Sequence, residues 1–293
     1  MSVRIALLGD IVGTPGRQVV TQAVPILREQ HGVALVVANA ENAANGSGLT
    51  PEMHAKLIAA GVDGMTLGDH AYRKKQIVGT LERETTLIRP ANLSQKAKGK
   101  VCLRLLAEVG REKLPVYIFT VIGRLFMNTM QGSDPFAVVD QMLAQIHERP
   151  CAILVEVHAE ATSEKVAMGW YLNERATAVY GTHTHIQTAD ARVLPTQIEG
   201  ARSPAAALAA GAGGTAYITD LGMSGPQDSV LGRRVDRVVH QMTTAMPAAF
   251  DVAEGNPEVR GVIVEVDTAT GRALAIETIA IPADLKKKPF LAS

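Results

Sequence analysis

Residues 3–13 read VRIALLGDIVG and join an apolar run to a loop that carries one carboxylate between two glycines. A short apolar run that ends at glycine is typical of a buried β-strand. In α/β sheets, ligands bind just beyond the carboxyl ends of the strands. The stretch therefore predicts a strand of an α/β fold, with Asp10 at the edge where a site would form.

Four further apolar runs end in polar side chains of the same general kind. The runs Val33–Ala38, Gly64–Leu67, Ala152–Val157 and Ala176–Tyr180 lead into Glu41-Asn42, Asp69-His70, His158 and His183-Thr184-His185, respectively. Each motif alone is weak evidence for a functional site, because a glycine-aspartate pair usually forms a turn and a lone histidine usually has a structural role. The His183–His185 pair is stronger, since a period of two puts both imidazoles on one side of an extended segment. Together, the five strand ends predict one shared site.

The remaining pattern mixes strands with helices. Other strand candidates are Val101–Val109, Val116–Val121, Ala216–Thr219, Val259–Val266 and Ala273–Ile281, and helical periodicity covers Pro15–Gln30, Pro51–Ala60, Pro135–Glu148 and Ser229–Thr244. The early strands alternate with helices, whereas the last two flank a hairpin-like turn at Thr268–Gly271. This mixture predicts an α/β fold whose sheets contain parallel and antiparallel strands.

Composition narrows the function classes. The 293 residues are 47% hydrophobic and 20% charged, with 29 basic and 29 acidic side chains, so no net charge steers the chain toward nucleic acid or a membrane. No run reaches the roughly 18 apolar residues of a membrane span. The apolar run at the N-terminus is too short for a signal peptide. We therefore expect a cytoplasmic protein, with Cys102 and Cys151 as buried reduced thiols.

The chain shows no internal repeat and no clear linker. We expect a single domain over residues 1–293, with the alanine-rich segment 195–213 as a surface insertion that takes no part in the chemistry.

Competing motifs are absent. Residues 9–16 lack the glycine spacing of a dinucleotide fingerprint and the Gly-Lys-Ser/Thr of a phosphate-binding loop. No Gly-x-Ser-x-Gly elbow is present, and neither cysteine lies near a histidine motif. A His-x-His pair also opens amidohydrolase barrels, but there it ends the first strand, whereas here an aspartate comes first.

The order of these motifs resembles the calcineurin-like metallophosphoesterases and, more closely, the YmdB-like family of bacterial 2',3'-cyclic-nucleotide 2'-phosphodiesterases. The resemblance covers nearly the whole chain through Gly9–Gly13, Pro15–Arg17, Glu41–Gly46, Thr66–His70, Arg89–Asn92, Gly123-Arg124, Phe126-Met127, His158–Lys165, Gly181–His185, Gln187–Asp190 and Tyr217–Met223. It implies a four-layer α/β sandwich of mixed sheets flanked by helices.

The resemblance also implies two metal ions, with iron or manganese as the expected elements. One ion would be held by Asp10, Glu41, Asn42 and His185, and the other by Glu41, Asp69, His158 and His183, with Glu41 shared. Carboxylate, amide and imidazole ligands suit such ions and disfavour a thiolate zinc site. His70 would be the proton donor to the leaving group.

The implied reaction is hydrolysis of a small nucleotide phosphodiester such as a 2',3'-cyclic nucleotide. A hydroxide formed between the two ions would attack phosphorus. Glu160, Asp190 and Asp220 are candidates for orienting the imidazoles. Long nucleic acid and membranes are not expected partners, and the resemblance suggests a homo-oligomer. Whether Arg124 and the adjacent residues 126–128 form a lid is open.

Two positions depart from the family pattern. Asp69 stands where the family normally has asparagine, and Glu156 stands where it usually has aspartate. Asp69 adds a negative charge beside an incoming phosphate, which would strengthen metal binding and slow the chemistry by repulsion. The alternative function is therefore a metal-loaded binding or regulatory protein with weak or no turnover.

Overall fold

The computed structural model describes residues 1–110, 112–195 and 214–284. The strands are β1 Ser2–Leu8, β2 Asp10–Ile11, β3 Val33–Asn39, β4 Gly64–Thr66, β5 Leu103–Val109, β6 Glu112–Ile122, β7 Ala152–His158, β8 Ala178–Thr182, β9 Arg192–Val193, β10 Ala216–Ile218, β11 Met223–Pro226, β12 Pro257–Asp267 and β13 Ala273–Pro282. The helices are α1 Gly13–Glu29, α2 Pro51–Ala59, α3 Val78–Arg83, α4 Pro135–Gln145, α5 Thr162–Tyr171 and α6 Val235–Thr244.

The strands form two mixed sheets. The first sheet has the order β2-β11-β12-β1-β3-β4, with β13 also paired to β12, and the second has the order β5-β6-β7-β8-β10-β9. In the first sheet β1, β3 and β4 are parallel while β12 runs antiparallel to β1. In the second sheet β6, β7, β8 and β10 are parallel. The mixed sheets predicted from the sequence are confirmed.

The core lies in three layers of apolar contacts, which makes the fold a four-layer sandwich. Alternate residues of β1 point to opposite faces of its sheet. Val3, Ile5 and Leu7 pack against the second sheet, whereas Ala6 and Leu8 pack against α1 and α2. The outer face of the second sheet is covered by α4 and α5. Because both sheets are buried on two faces, their central strands are mostly apolar.

Local signals explain where two of the helices begin. Thr50 precedes α2 and its hydroxyl accepts a hydrogen bond from the backbone N–H of Met53. Asp134 precedes α4 and its carboxylate accepts from the backbone N–H of Phe136. A proline fills the first turn of each helix, where its missing N–H leaves no bond unmade.

Several boundaries differ from the sequence-based prediction. The helix predicted over Ser229–Thr244 is wrong in its first turn and a half, because residues 230–233 form a tight turn and α6 begins only at Val235. The prediction missed β2, β9, β11 and α3, which have only two to six residues each, and it also missed the ten-residue helix α5. Residues 196–213 of the predicted surface insertion lie outside the described residues. The single domain over 1–293 stays a prediction.

The described residues contain no helix that is both long enough and apolar enough to cross a membrane. Both cysteines are free; Cys151 is buried, whereas Cys102 is only partly buried. Burial raises the pKa of Cys102 to about 11 and raises the pKa of Cys151 above its ordinary value. Such thiols stay protonated near neutral pH and are poor nucleophiles.

We expect Gly271→Ala to destabilise the fold more than Gly110→Ala. Both glycines have positive φ, at 72° and 61°, so each substitution forces alanine into a left-handed conformation that costs about 1–2 kcal/mol. A methyl group on Gly271 would also lie 1.9 Å from the carbonyl oxygen of Cys151, whereas nothing lies within 4 Å at Gly110. Urea unfolding of the two variants measures the difference, and equal losses would contradict this packing argument.

Candidate metal centre at the strand ends

The predicted site residues converge between the two sheets. Asp10 begins β2, Glu41 and Asn42 follow β3, and Asp69 follows β4, all at one edge of the first sheet. His158 is the last residue of β7, and His183 and His185 follow its neighbour β8. Because the carboxyl ends of both sets of parallel strands meet at the same edge, the side chains face one another across the seam.

Four of these residues form one compact group. The Nε2 atom of His158 lies 3.0 Å from Asp69 Oδ1 and 3.2 Å from Glu41 Oε1. The Nδ1 atom of His183 lies 3.4 Å from Asp69 Oδ1 and 3.2 Å from His158 Nε2. One ligand atom from each residue lies within 4.8 Å of all the others. The group has the size and composition of a metal site.

Asp10, Asn42 and His185 form a second group beside the first. Asn42 Nδ2 lies 3.4 Å from Asp10 Oδ1 and 3.2 Å from His185 Nε2. His185 Nε2 lies 3.7 Å from Asp10 Oδ1. Asn42 Nδ2 is also 3.5 Å from Glu41 Oε1, so Glu41 lies between the two groups. The structure thus brings together all seven residues that the sequence assigned to metal binding.

His70 lies at the rim of both groups. Its backbone N–H donates to Glu41 Oε2 at 2.9 Å, and its Nδ1 lies 3.0 Å from Asn42 Oδ1. Its Nε2 lies 3.6 Å from Asp69 Oδ2, and 22% of the side chain is exposed. Burial is the largest cause of a pKa below the ordinary histidine value, which the charges of Glu41 and Asp69 partly offset. His70 is therefore held in a fixed orientation, with part of its side chain accessible to a substrate.

Each of the three inner histidines has its outer nitrogen bound to another group. Nδ1 of His158 lies 2.9 Å from the hydroxyl of Thr182, whose proton is donated to Glu156 Oε1 at 2.6 Å. That hydroxyl must therefore accept from His158 Nδ1–H. Nδ1 of His185 donates to the carbonyl oxygen of Leu231 at 3.1 Å.

His183 follows the same rule with its two nitrogens exchanged. Its Nε2 lies 3.2 Å from Glu160 Oε2, which leaves Nδ1 to face the first group. In all three rings, the nitrogen that faces the centre is the one left to bind a cation. Such outer hydrogen bonds set the tautomer and the ring angle of metal-binding histidines. The donor set therefore fits metal ions.

Glu156 has a clear place in the structure, which the sequence left open. Its side chain is fully buried on the same side of β7 as His158, because residues two apart share one face of a strand. It accepts hydrogen bonds from Asn39 Nδ2 at 2.7 Å, from Thr120 at 3.0 Å and from Thr182. Glu156 thus holds His158 through Thr182.

The His183-Thr184-His185 segment is strained and is held by a buried ion pair. His183 and His185 have φ of 91° and 64°, in a region that non-glycine residues rarely adopt. Between them, the Thr184 hydroxyl donates to Asp220 Oδ2 at 2.6 Å. The same oxygen lies 2.7 Å from Nζ of Lys165, and neither charged side chain is exposed. This contact network holds both imidazoles against the strain of their backbone.

Of the three orienting carboxylates predicted from the sequence, two act on the histidines. Glu160 contacts His183 directly, and Asp220 acts through Thr184. Asp190 instead accepts from Thr188 and Thr219. Sequence reasoning missed Lys165, Thr182 and Thr129, whose hydroxyl donates to Asp69 Oδ2. The family motifs covered Lys165 and Thr182 without indicating a role for them, and nothing singled out Thr129, because threonines and lysines are common elsewhere.

The charges of the site favour a cation. Burial is the largest cause that raises the pKa of Asp10 to about 7; the nearby His158 opposes the shift and Glu41 adds to it. Burial would lower the pKa of His158, but the charge of Glu41 and the hydrogen bonds that His158 donates to Asp69 and Glu41 raise it well above its ordinary value. Three carboxylates packed in a seam thus favour positive charge among them, which is also what a metal ion would supply.

Comparisons with known proteins agree with this geometry. A family model described as YmdB-like protein matches residues 6–279. The chain is 40% identical over 281 residues to the 2',3'-cyclic-nucleotide 2'-phosphodiesterase of Bacillus subtilis strain 168, across 96% of this chain and 98% of that protein.

Two crystal structures are similar over nearly their full length. A hypothetical protein from Thermus thermophilus has a TM-score of 0.80 and 37% identity, over 96% of this chain and 99% of that one. A phosphatase from Mycoplasma pneumoniae has a TM-score of 0.82 and 29% identity, over 96% of this chain and 94% of that one.

We expect Lys165→Met to destabilise the protein and to reduce metal binding. Removal of one partner leaves Asp220 buried and unpaired, which costs about 3–5 kcal/mol, and loosens Thr184. Urea unfolding and elemental analysis of the purified variant measure the two effects.

The control is the double variant Lys165→Met/Asp220→Leu. It removes the whole ion pair, so stability should largely return, while metal binding stays weak because Thr184 has lost its acceptor. Full metal loading of the double variant would show that the ion pair does not position the histidines.

Proposed function

Because the chain belongs to the YmdB-like family, we propose that it is a dinuclear metal-dependent phosphodiesterase acting on small nucleotide phosphoesters such as 2',3'-cyclic nucleotides. The observation that carries the proposal is the set of three histidines whose outer nitrogens are bound to neighbouring groups. Their inner nitrogens face three carboxylates and one amide. An arrangement of this kind is built for cations, and paired cations are typical of enzymes that cleave phosphate esters.

The two groups of side chains correspond to two proposed metal ions. Asp10, Glu41, Asn42 and His185 would hold one ion, and Glu41, Asp69, His158 and His183 the other. We propose iron or manganese because the ligands combine carboxylate, amide and imidazole without thiolate. Asn42 turns Oδ1 toward His70 and Nδ2 toward Asp10. Since a metal ion is bound through the amide oxygen, the amide would rotate when the ion binds.

Two bound cations would neutralise phosphoryl oxygens and lower the pKa of a water molecule. The remaining chemistry belongs to the chain. His70 would donate a proton to the leaving oxygen, because its side chain is partly exposed while its backbone is fixed to Glu41.

The space next to this site suits a small ligand. His70, His183 and His185 line an open pocket of about 380 Å³. Pockets of about 300–1,000 Å³ hold molecules of nucleotide size. The balanced net charge of the chain gives no reason to expect a long nucleic acid. A homo-oligomeric state and a cytoplasmic location stay predictions.

We expect His70→Ala to lower turnover by about 10²- to 10⁴-fold, the usual contribution of a positioned acid or base. The assay is hydrolysis of the four 2',3'-cyclic nucleotides and a chromogenic diester with added Mn²⁺ or Fe²⁺. The metal content should not change, because the proposed ligands remain.

The matched control is His147→Ala, at an exposed histidine in the loop after α4. This variant should retain wild-type turnover and metal content. Wild-type activity that survives both chelation and His70→Ala would exclude the proposed mechanism.

Asp69 motivates a second function, a metal-loaded binding or regulatory protein with little turnover. Its carboxylate is held by Thr129 and by two histidines, so it keeps its charge, and its pKa lies below the ordinary value although burial opposes this. That charge would lie beside an incoming phosphate and repel it.

Asp69→Asn separates the two functions. If repulsion between Asp69 and the substrate phosphate limits turnover in the wild type, the substitution should raise turnover of a diester by about tenfold or more. Removal of about 1.4 kcal/mol of repulsion from the activation barrier corresponds to a factor of ten in rate. If the chain is an efficient enzyme, the substitution should weaken metal binding without raising turnover. Steady-state kinetics together with metal titration measure both quantities, and a fast wild type with unchanged variant kinetics would exclude the regulatory function.

A further inference from the structure

The pocket beside the candidate metal centre has a second half that the proposed chemistry does not use. Its first half is polar and consists of the site residues and their neighbours. The second half, which we call the apolar wall, is lined by Val12, Val230, Leu231, Val238, Met242 and Phe250. Leu231, Met242 and Phe250 are 45%, 77% and 42% exposed, respectively. The wall thus presents apolar surface to solvent directly beside the candidate metal centre.

The wall contains a strained turn whose tip is a leucine. Val230 and Arg233 exchange two backbone hydrogen bonds of 2.9 Å, so Leu231 and Gly232 form a two-residue turn. Both central residues have positive φ, 52° at Leu231 and 89° at Gly232. Turns of this kind strongly favour asparagine, aspartate or glycine at the first position. A leucine there opposes local preference, and strained residues of this kind cluster at functional sites.

The turn is fixed to the metal centre. The carbonyl oxygen of Leu231 accepts the hydrogen bond from His185 Nδ1. Gly232 packs so closely on Val12 that a methyl group there would lie 2.6 Å from Val12 Cγ1. The backbone of Leu231, from which its side chain projects, is therefore held at a constant position relative to the imidazole that would bind metal.

Phe250 is fixed to the same site from the other side. The guanidinium of Arg233 donates to the carbonyl oxygen of Phe250 at 2.9 Å and to that of Gly46 at 2.6 Å. Gly46 belongs to the loop that begins with Glu41 and Asn42. In the described part of the chain, Arg233 is the one polar side chain that lines this half of the pocket. Its guanidinium N–H groups donate hydrogen bonds to backbone carbonyl oxygens.

We propose that the apolar wall binds the nucleobase of a substrate whose phosphate lies at the metal centre, and that it does not select among bases. The inference rests on the proposed function. An aromatic ring and aliphatic side chains bind the flat face that every base shares. Selection among bases requires hydrogen bonds to their edges, and a hydrophobic surface discriminates weakly. One continuous pocket beside the centre places base and phosphate within a single ligand.

Two kinetic results should follow for the wild type. The 2',3'-cyclic phosphates of adenosine, guanosine, cytidine and uridine should have similar kcat/KM values. All four should exceed the cyclic phosphate of 1,2-propanediol, which has no base, by roughly 5- to 150-fold, the equivalent of stacking one base on a protein side chain. The inference would be overturned if kcat/KM for one base exceeded that for the other three by more than about 150-fold. It would also be overturned if the base-free diester had the same kcat/KM as the nucleotides.

Leu231→Asn and Phe250→Ala test the wall directly. Asparagine suits the backbone of the turn better than leucine, so the melting temperature should not fall while the apolar tip is lost. In both variants the ratio of kcat/KM for the cyclic nucleotides to that for the base-free diester should fall toward one. Met246→Ala is the matched control, since Met246 is an exposed apolar residue just beyond α6 that lies outside the pocket lining. It should keep the wild-type ratio.

Two results distinguish an error in the base-binding inference from an error in the proposed phosphodiesterase function. Equal losses on both kinds of substrate, with an unchanged ratio, would mean that the wall supports the fold or an assembly, and would overturn the inference. Calorimetric binding of uridine 3'-phosphate and of inorganic phosphate needs no turnover. Weaker nucleotide binding in Leu231→Asn, with phosphate binding retained, supports the wall even if the wild type proves to have no phosphodiesterase activity, whereas unchanged nucleotide binding would overturn it.

Discussion

Burial of several carboxylates in the seam between two sheets is the constraint on which the rest of the site depends. Asp10, Glu41 and Asp69 are almost completely buried, and an isolated buried carboxylate is strongly unfavourable. The nearby lysine, Lys165, already pairs with Asp220. The seam therefore needs positive charge from another source, either protons on its histidines or metal ions. The hydrogen bonds on the outer side of the three inner histidines are consistent with the second choice, because each leaves the inner nitrogen to bind a cation.

Close approach of the backbone to its neighbours positions the site residues, and two glycines make it possible, one between the two sheets and one within the second sheet. A methyl group on Gly68 would lie 2.3 Å from Nε2 of His158. A methyl group on Gly181 would lie 1.8 Å from the carbonyl oxygen of Thr219 and 2.7 Å from Cδ of Lys165. Both glycines adjoin site residues in sequence. The fold thus brings the ligands together by removing side chains at the points of contact, which is a role that only glycine can fill.

The sequence predicted the strands and the site residues because both are encoded locally. Apolar runs identified the central strands, and the polar residues at their ends identified the candidate ligands. The supporting layer could not be predicted in the same way. Glu156 is held by Asn39, Thr120 and Thr182, which come from three other strands in two sheets. The sequence predicts a helix at residues 230–233, because their apolar residues continue the period of α6, but their turn conformation depends on contacts with Val12 and His185. Partners of this kind become visible only when the chain is folded.

The strained residues of the site lie together, and their location suggests how the site keeps its shape. His183, His185 and Leu231 all have positive φ and surround one side of the pocket. Each is held by a contact with a neighbouring group: His183 by Glu160, His185 by the carbonyl oxygen of Leu231, and Leu231 by the packing of Gly232 on Val12. Strain that persists only because the surroundings fix it leaves little freedom to be lost when a ligand binds. The same bonds that orient the imidazoles also fix the apolar wall, so the polar and apolar halves of the pocket are held in one rigid arrangement before any ligand is present.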